Sequence, residues 1–303
     1  MTIIHDLMLN HDKDPAATAS SLQALSPDSL DEKDIPTYSW LLNHVLGELT
    51  GNWHAACERQ RQTALLKQAS PILHFNHAIA ASYAGQPLES WCATSRFAQA
   101  KGISTEEAEI IIRQGVLQHS AAGTETTGAF REVLSDCLAH TSNWHGSPQA
   151  AGMLASSLTN IVSRWLEQPL DSSAPVNVFM QEAARRSQYL WGAGEGNWLN
   201  AERACYLCAL VANHLSNWQE ACTAAREGIT IIDENGEEDV DRACLLLELS
   251  RAQGALGQRD EQVAHRQQAI ALADTFPQTF PDEPELRDWF DGLLKKAEYP
   301  AQT

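Results

Sequence analysis

Basic residues are scarce in this chain. There are 21 Lys and Arg against 39 Asp and Glu, a formal net charge of −18 over 303 residues. So acidic a surface repels phosphate backbones and anionic headgroups. Basic residues form no cluster beyond short pairs such as Arg185-Arg186. Binding to nucleic acid or to a membrane is therefore not expected. Long apolar runs are also missing, and none approaches membrane-spanning length. The N-terminal Met1-Thr2-Ile3-Ile4-His5-Asp6 has no basic region leading into an apolar stretch, so no secretory signal is expected. Alternation of Val, Ile and Thr is nearly absent, which argues against a sheet. Seven cysteines are an odd number and fall in helical rather than loop segments. That pattern suits buried, reduced thiols in a cytoplasm better than a disulfide framework.

Helix-forming residues fill the rest. Ala, Leu, Gln and Glu dominate, and Pro71, Pro87, Pro148, Pro169, Pro175, Pro277 and Pro284 stand at helix-length intervals. The pattern predicts about 13 helices, roughly at 35–49, 53–69, 72–84, 88–101, 104–119, 125–140, 147–167, 175–191, 198–214, 217–232, 240–256, 260–274 and 283–297. Ser104 and Glu107 have capping-box spacing, in which hydroxyl and carboxylate each satisfy a free backbone N–H. Asp282, Pro284 and Glu285 read as another helix start. Residues 1–34 are less regular, and Asp12, Asp14, Asp28, Asp31 and Asp34 read as a solvated leader or a cap. The acidic run from Asp233 to Asp239 reads as a connecting loop. Short linkers force neighbouring helices into antiparallel pairs, and a pair buries its apolar faces only by stacking on other pairs.

Four tripeptides punctuate these helices: Gly51-Asn52-Trp53, Ser142-Asn143-Trp144, Gly196-Asn197-Trp198 and Ser216-Asn217-Trp218. Gly51 to Gly85 is 34 residues, and each glycine ends one helix before another begins. Around Ser216, Ala209 and Ala212 precede the turn, and Trp218, Ala221 and Gly228-Ile229 follow. Around Gly85, Ala78 and Ala81 precede and Ser90 follows, with Pro87 in place of the aromatic. Around Gly257, Leu246, Leu249 and Ser250 precede and Ala269-Ile270 follow, with Gln262 where a small residue is expected. Around Gly51, Trp53 and Ala56 follow, but His44 occupies the small position. Small residues let two helices approach closely, and a glycine turn admits positive φ.

On these residues the chain resembles the tetratricopeptide repeat family, whose period is about 34 residues. The resemblance covers about 140 residues well. It implies an all-α fold, a right-handed α-solenoid of antiparallel helix pairs. Residues 1–34 would be the leader or cap, 35–103 N-terminal pairs, 104–197 an irregular helical middle, and 198–303 C-terminal pairs with a capping helix. The first helices of successive pairs would line a concave groove, with Phe75, Tyr83, Arg203, Tyr206, Asn213 and Arg251 as groove candidates.

Motifs with chemical potential are few. Cys205-Tyr206-Leu207-Cys208 has redox or zinc spacing, but it lies within a helix, has no second pair, and reads as core. His74 and His77 share a helix face with no sulfur or carboxylate ligand nearby in sequence. His5-Asp6 and His11-Asp12 resemble dipeptides of metal-dependent phosphohydrolases, without the later His and Asp partners. Gly192-Ala193-Gly194-Glu195-Gly196 follows no strand, so it reads as a connection between helices rather than a nucleotide loop. The turn tryptophans read as helix-covering core. No catalytic, cofactor-binding or metal-ligating residue is expected. The chain is expected to be a cytoplasmic adaptor or scaffold, not an enzyme, binding a peptide or protein segment. The alternatives are a ligand-sensing regulator with a pocket in the middle section and an all-helical enzyme.

Overall fold

The computed structural model describes residues 2–66, 70–120, 128–167 and 176–298. No strand occurs among them. The last residues of the helix expected at 53–69, the starts of those expected at 125 and 175, and Pro169 and Pro175 lie outside the described residues. The chain divides into two compact lobes, 1–120 and 121–303. The expected middle section is therefore split: its first helix belongs to the first lobe and the rest to the second.

The first lobe contains α1 (Ile3–Asn10), α2 (Pro15–Ala24), α3 (Ile35–Leu41), α4 (Trp53–Ala64), α5 (Pro71–Tyr83), α6 (Pro87–Lys101) and α7 (Thr105–Ser120). The second contains α8 (Gly128–His140), α9 (Pro148–Leu166), α10 (Val176–Ala193), α11 (Trp198–His214), α12 (Trp218–Asn235), α13 (Asp239–Ala255), α14 (Arg259–Ala273), the short α15 (Phe276–Thr279) and α16 (Leu286–Glu298). All the expected helices are present, but the expected number is too low. It missed α1, α2 and α15, whose short spans carry no long apolar period. In both lobes most consecutive helices pack together, as α5 with α6, α9 with α10, α11 with α12 and α13 with α14, and some helices two apart also touch, as α3 with α5, α5 with α7 and α11 with α13.

The turns share one backbone device. Gly85, Gly102, Ser216 and Gly257 are left-handed, with φ of 67°, 72°, 60° and 77°. After each, a backbone N–H reaches back five residues: Gln86 to Ala81 (2.9 Å), Ile103 to Ala98 (3.1 Å), Asn217 to Ala212 (2.8 Å) and Gln258 to Gln253 (2.9 Å). These bonds occupy carbonyls that a helix end leaves free. Ser216 is the one non-glycine with positive φ among the described residues, and it closes its turn as the three glycines close theirs.

The helix crossings follow the same frame. Ser90 Oγ donates to the Ala78 carbonyl at 3.0 Å, and Ser250 Oγ donates to the Gln262 carbonyl at 2.9 Å. Such short side chains reach a neighbouring backbone only where the helices nearly touch. Ala209 and Ala221 hold the matching positions around Ser216, both fully buried. Gln262 fits because Gly254 faces it: a Cβ on Gly254 would lie 2.7 Å from the Gln262 amide. In the irregular middle, Ser187 Oγ donates to the Ala155 carbonyl at 2.9 Å, so α9 and α10 also cross closely.

The first pair departs from this frame in an informative way. α3 runs on into a π-helix at Leu42–Leu49, which takes one extra residue into the turn. Asn52 N–H therefore reaches back six residues, to Leu46 O at 2.7 Å. The small position expected at His44 is displaced by the same residue. Asn43 lies in the interior instead, donating to the Asn76 carbonyl at 3.0 Å and accepting from Gln60 Nε2 at 2.8 Å. Ser39 closes the ring, donating to Gln60 at 2.8 Å and accepting from Asn76 at 2.9 Å. All four side chains are buried and joined to one another, which avoids the cost of orphaned polar groups.

The expected leader is folded and caps this lobe. Ile4, Ala19 and Leu22 enter the same core as Tyr38, Leu42 and Leu46. The Arg59 guanidinium donates to Tyr38 Oη at 2.9 Å and to the Leu25 carbonyl at the end of α2. The capping box at α7 is present: Glu107 N–H donates to Ser104 Oγ at 3.1 Å, and Ser104 N–H to Glu107 at 2.7 Å. Asn52 and Asn197 cap α4 and α11 with their side chains, whereas Trp144 opens no helix. α16 starts at Leu286, later than Asp282 and Glu285 imply.

Candidate functional site

The six groove candidates divide between the two lobes. Phe75 and Tyr83 belong to the first lobe, and both are half-buried. Phe75 lies 5.7 Å from Phe97, ring to ring, and meets the bare backbone of Gly115 on α7. Tyr83 donates to the Val116 carbonyl at 2.6 Å and stacks on Trp53 at 4.2 Å. Trp53 in turn lies over Gly47, where any Cβ would sit 2.4 Å from the indole. These aromatics thus join α4, α5 and α7. The His119 ring stands edge-on to Trp53, 5.6 Å away.

Arg203, Tyr206, Asn213 and Arg251 fall on α11 and α13 of the second lobe, whose contact forms a polar seam. At one end Arg203 Nε donates to Asp241 at 2.8 Å. Glu202 beside it is fully buried, and neither of its carboxyl oxygens has a hydrogen-bond partner. Burial, reinforced by Asp241, raises its pKa well above the carboxylate range, so the protonated form is favoured. Midway, burial pushes the Tyr206 hydroxyl well up, with Cys244 and Glu248 adding to the effect. At the far end Asn213 Nδ2 donates to the Glu248 carbonyl at 2.9 Å and to its carboxylate at 2.6 Å. Arg251 approaches the same carboxylate at 3.9 Å. Asn213 Oδ1 and His214 Nε2 are buried without a hydrogen-bond partner. Arg203 remains exposed and Arg251 half-buried. Tyr206 is half-buried as well, and Asn213 is the one of the four that is fully covered.

One cluster escaped the sequence reading. His77 has no ligand neighbour in sequence, yet folding brings Cys57 from α4 and Glu89 from α6 to it. His77 Nε2 lies 2.8 Å from Glu89 Oε1, and the Arg61 guanidinium grips both oxygens of the same carboxylate at 2.6 and 2.8 Å. Arg61 holds Glu89 at about 2, with help from His77. Burial, with Glu89 adding to it, pushes the Cys57 thiol to about 11. Burial also lowers His77, although Glu89 pulls the other way. A protonated thiol is a poor nucleophile, and the Arg61–Glu89 pair already balances its own charge. The cluster therefore works as a clamp across α4, α5 and α6. His74 does not join it. His74 Nδ1 is buried without a partner, and burial lowers its pKa too.

Cys205 and Cys208 lie in the interior as expected. Burial pushes both thiols to about 12, and both face the Gln188 amide. Gly194 lies against the backbone of Gly152, Leu190 and Pro148, which suits a tight connection between helices. A cleft of about 760 Å³ lies between α12, α13 and α14, lined by Arg226, Arg242, Leu246, His265 and neighbours. No helix among the described residues is long and apolar enough to cross a membrane. No family model matches the chain, and no curated protein matches it at a significant level.

Proposed function

We propose that the helix pairs of each lobe are tetratricopeptide-like and that the chain acts as a binding module for a protein or peptide segment. The observation that carries the repeat reading is Ser216. A serine holds the left-handed turn where the other pairs use glycine, which is the mark of a frame imposed by the repeat rather than by local preference. The seam between α11 and α13 is the surface assigned to the partner. Arg203 and Arg251 border it, Arg203 exposed and Arg251 half-buried. The carboxylates of an extended acidic segment would pair with the two arginines.

The reading is tested with a photo-crosslinking residue placed in turn at Arg203, Arg251 and, as control, the exposed Glu227 on α12. The expected result is one common partner captured from both seam positions and not from Glu227. Capture from Glu227 alone, or no selective capture from the seam, would remove the seam from consideration.

A further inference from the structure

We infer that the first lobe holds a site for a divalent transition metal, built from His11, Asp12 and His44. His11 ends α1, Asp12 lies in the turn that follows, and His44 stands on the π-helix after α3. Their three ligand atoms lie within 4.8 Å of one another.

The imidazoles are set up as ligands. His11 Nδ1 lies 2.6 Å from the Met8 carbonyl. A carbonyl only accepts, so Nδ1 carries the proton and Nε2 keeps its lone pair. His44 Nδ1 lies 2.5 Å from the Glu48 carboxylate, which fixes the same arrangement there. Glu48 is itself held by His119 on its other oxygen. An outer acceptor on one ring nitrogen, with the other nitrogen free, is how metal-binding histidines are oriented. Both free nitrogens point at Asp12. His11 Nε2 is 3.4 Å from one of its oxygens, and His44 Nε2 is 3.7 Å from the other. Those separations are long for hydrogen bonds. They match two ligands sharing one ion, since tetrahedral bonds of about 2.0–2.1 Å set neighbouring ligands about 3.4 Å apart.

Two nitrogens and one carboxylate suit zinc, cobalt or iron rather than calcium or magnesium. The Asp12 side chain is 73% exposed, which gives an ion a route from solvent. Trp40 stacks on His44 at 4.7 Å and meets His11 edge-on at 5.6 Å, restraining both rings. The π-helix supplies the remaining condition: its extra residue places Asn43 in the helix crossing and leaves His44 half-buried beside α1. π-helical segments recur at functional sites for this kind of reason.

The test is Co(II) titration of metal-stripped full-length protein, read by d–d absorption and calorimetry, with Zn(II) as competitor. One equivalent is expected, displaced by zinc. Asp12→Asn, His11→Gln and His44→Gln should each abolish saturable binding, with helicity checked by circular dichroism. Asp12 is exposed, so its variant also keeps the fold. Glu48→Gln should retain one equivalent with affinity about 10–100-fold weaker. Cys57→Ser and His77→Gln should bind as the parent does. The inference is overturned if no d–d band appears at several-fold excess of cobalt, or if binding survives in both Asp12→Asn and His44→Gln. Loss of binding in Cys57→Ser alone would overturn it too, by moving the ion to the other cluster.

Discussion

Ser216 illustrates how one residue reports the frame around it. Left-handed φ costs a non-glycine residue about 1–2 kcal/mol. Glycine removes that strain, but its greater freedom in the unfolded chain returns roughly 0.5–1 kcal/mol. Ser216→Gly is therefore expected to stabilise the second lobe by about 0.5–1 kcal/mol. In a lobe of this size that raises the melting temperature by about 2 °C. Ser216→Val, stiff at χ1 and strained at this φ, should move it in the opposite direction. Scanning calorimetry of the two variants checks the prediction; if both melt below the parent, the strain at this turn is relieved in another way. Ser216 was readable beforehand as a turn residue, because it aligns with Gly51, Gly85 and Gly257. The π-helix was not, because an inserted residue leaves no periodic trace over so short a span. His44 then looked like a poor match to the small position, when the backbone had moved Asn43 into the interior instead.

Elements were legible where apolar period and punctuation agreed. Helices α4 to α14 follow their prolines, glycines and caps, and Ser104 with Glu107 forms the expected box. For residues 1–34 the aspartates advertise solvent, while the residues that anchor the segment as a cap, Ile4, Ala19 and Leu22, are widely spaced. Side-chain clusters were harder still. Cys57, His77 and Glu89 lie on three helices, and the pattern that joins them is tertiary. That clamp makes a prediction for the helices it ties. Glu89 titrates at about 2 in the fold, below its usual value near 4.5. A depressed carboxylate stabilises the fold above its unfolded pKa, and the contribution is lost as pH falls through the folded one. The α4–α6 region should therefore lose stability between about pH 4.5 and 2. Glu89→Gln should start less stable at pH 7 and lose less over that interval. Urea midpoints measured across the interval decide it: parallel curves for variant and parent would show that the clamp carries none of the acid sensitivity.

At the scale of the whole molecule the acidic excess is uneven. The first lobe has 13 acidic and 8 basic residues, and the second has 26 and 13. The second lobe does carry ion pairs, such as Arg185 with Glu220 at 2.6 Å and Arg242 with Asp233 at 2.7 Å. They are partly exposed, and exposed pairs contribute about 0–1 kcal/mol each. Thirteen acidic residues remain beyond the number of basic ones, and their mutual repulsion acts over longer distances. Salt near 0.15 M shortens that reach to about 8 Å, which relieves repulsion between distant charges more than it weakens pairs in contact. Raising NaCl from a few millimolar to about 0.15 M should therefore slow hydrogen exchange in both lobes. The larger gain is expected along α11–α14, because the second lobe carries the greater excess. Mass-spectrometric exchange at the two salt levels resolves the lobes separately. A gain in the first lobe that equals or exceeds that in the second would show that local ion pairs, not net repulsion, govern how this acidic chain responds to salt.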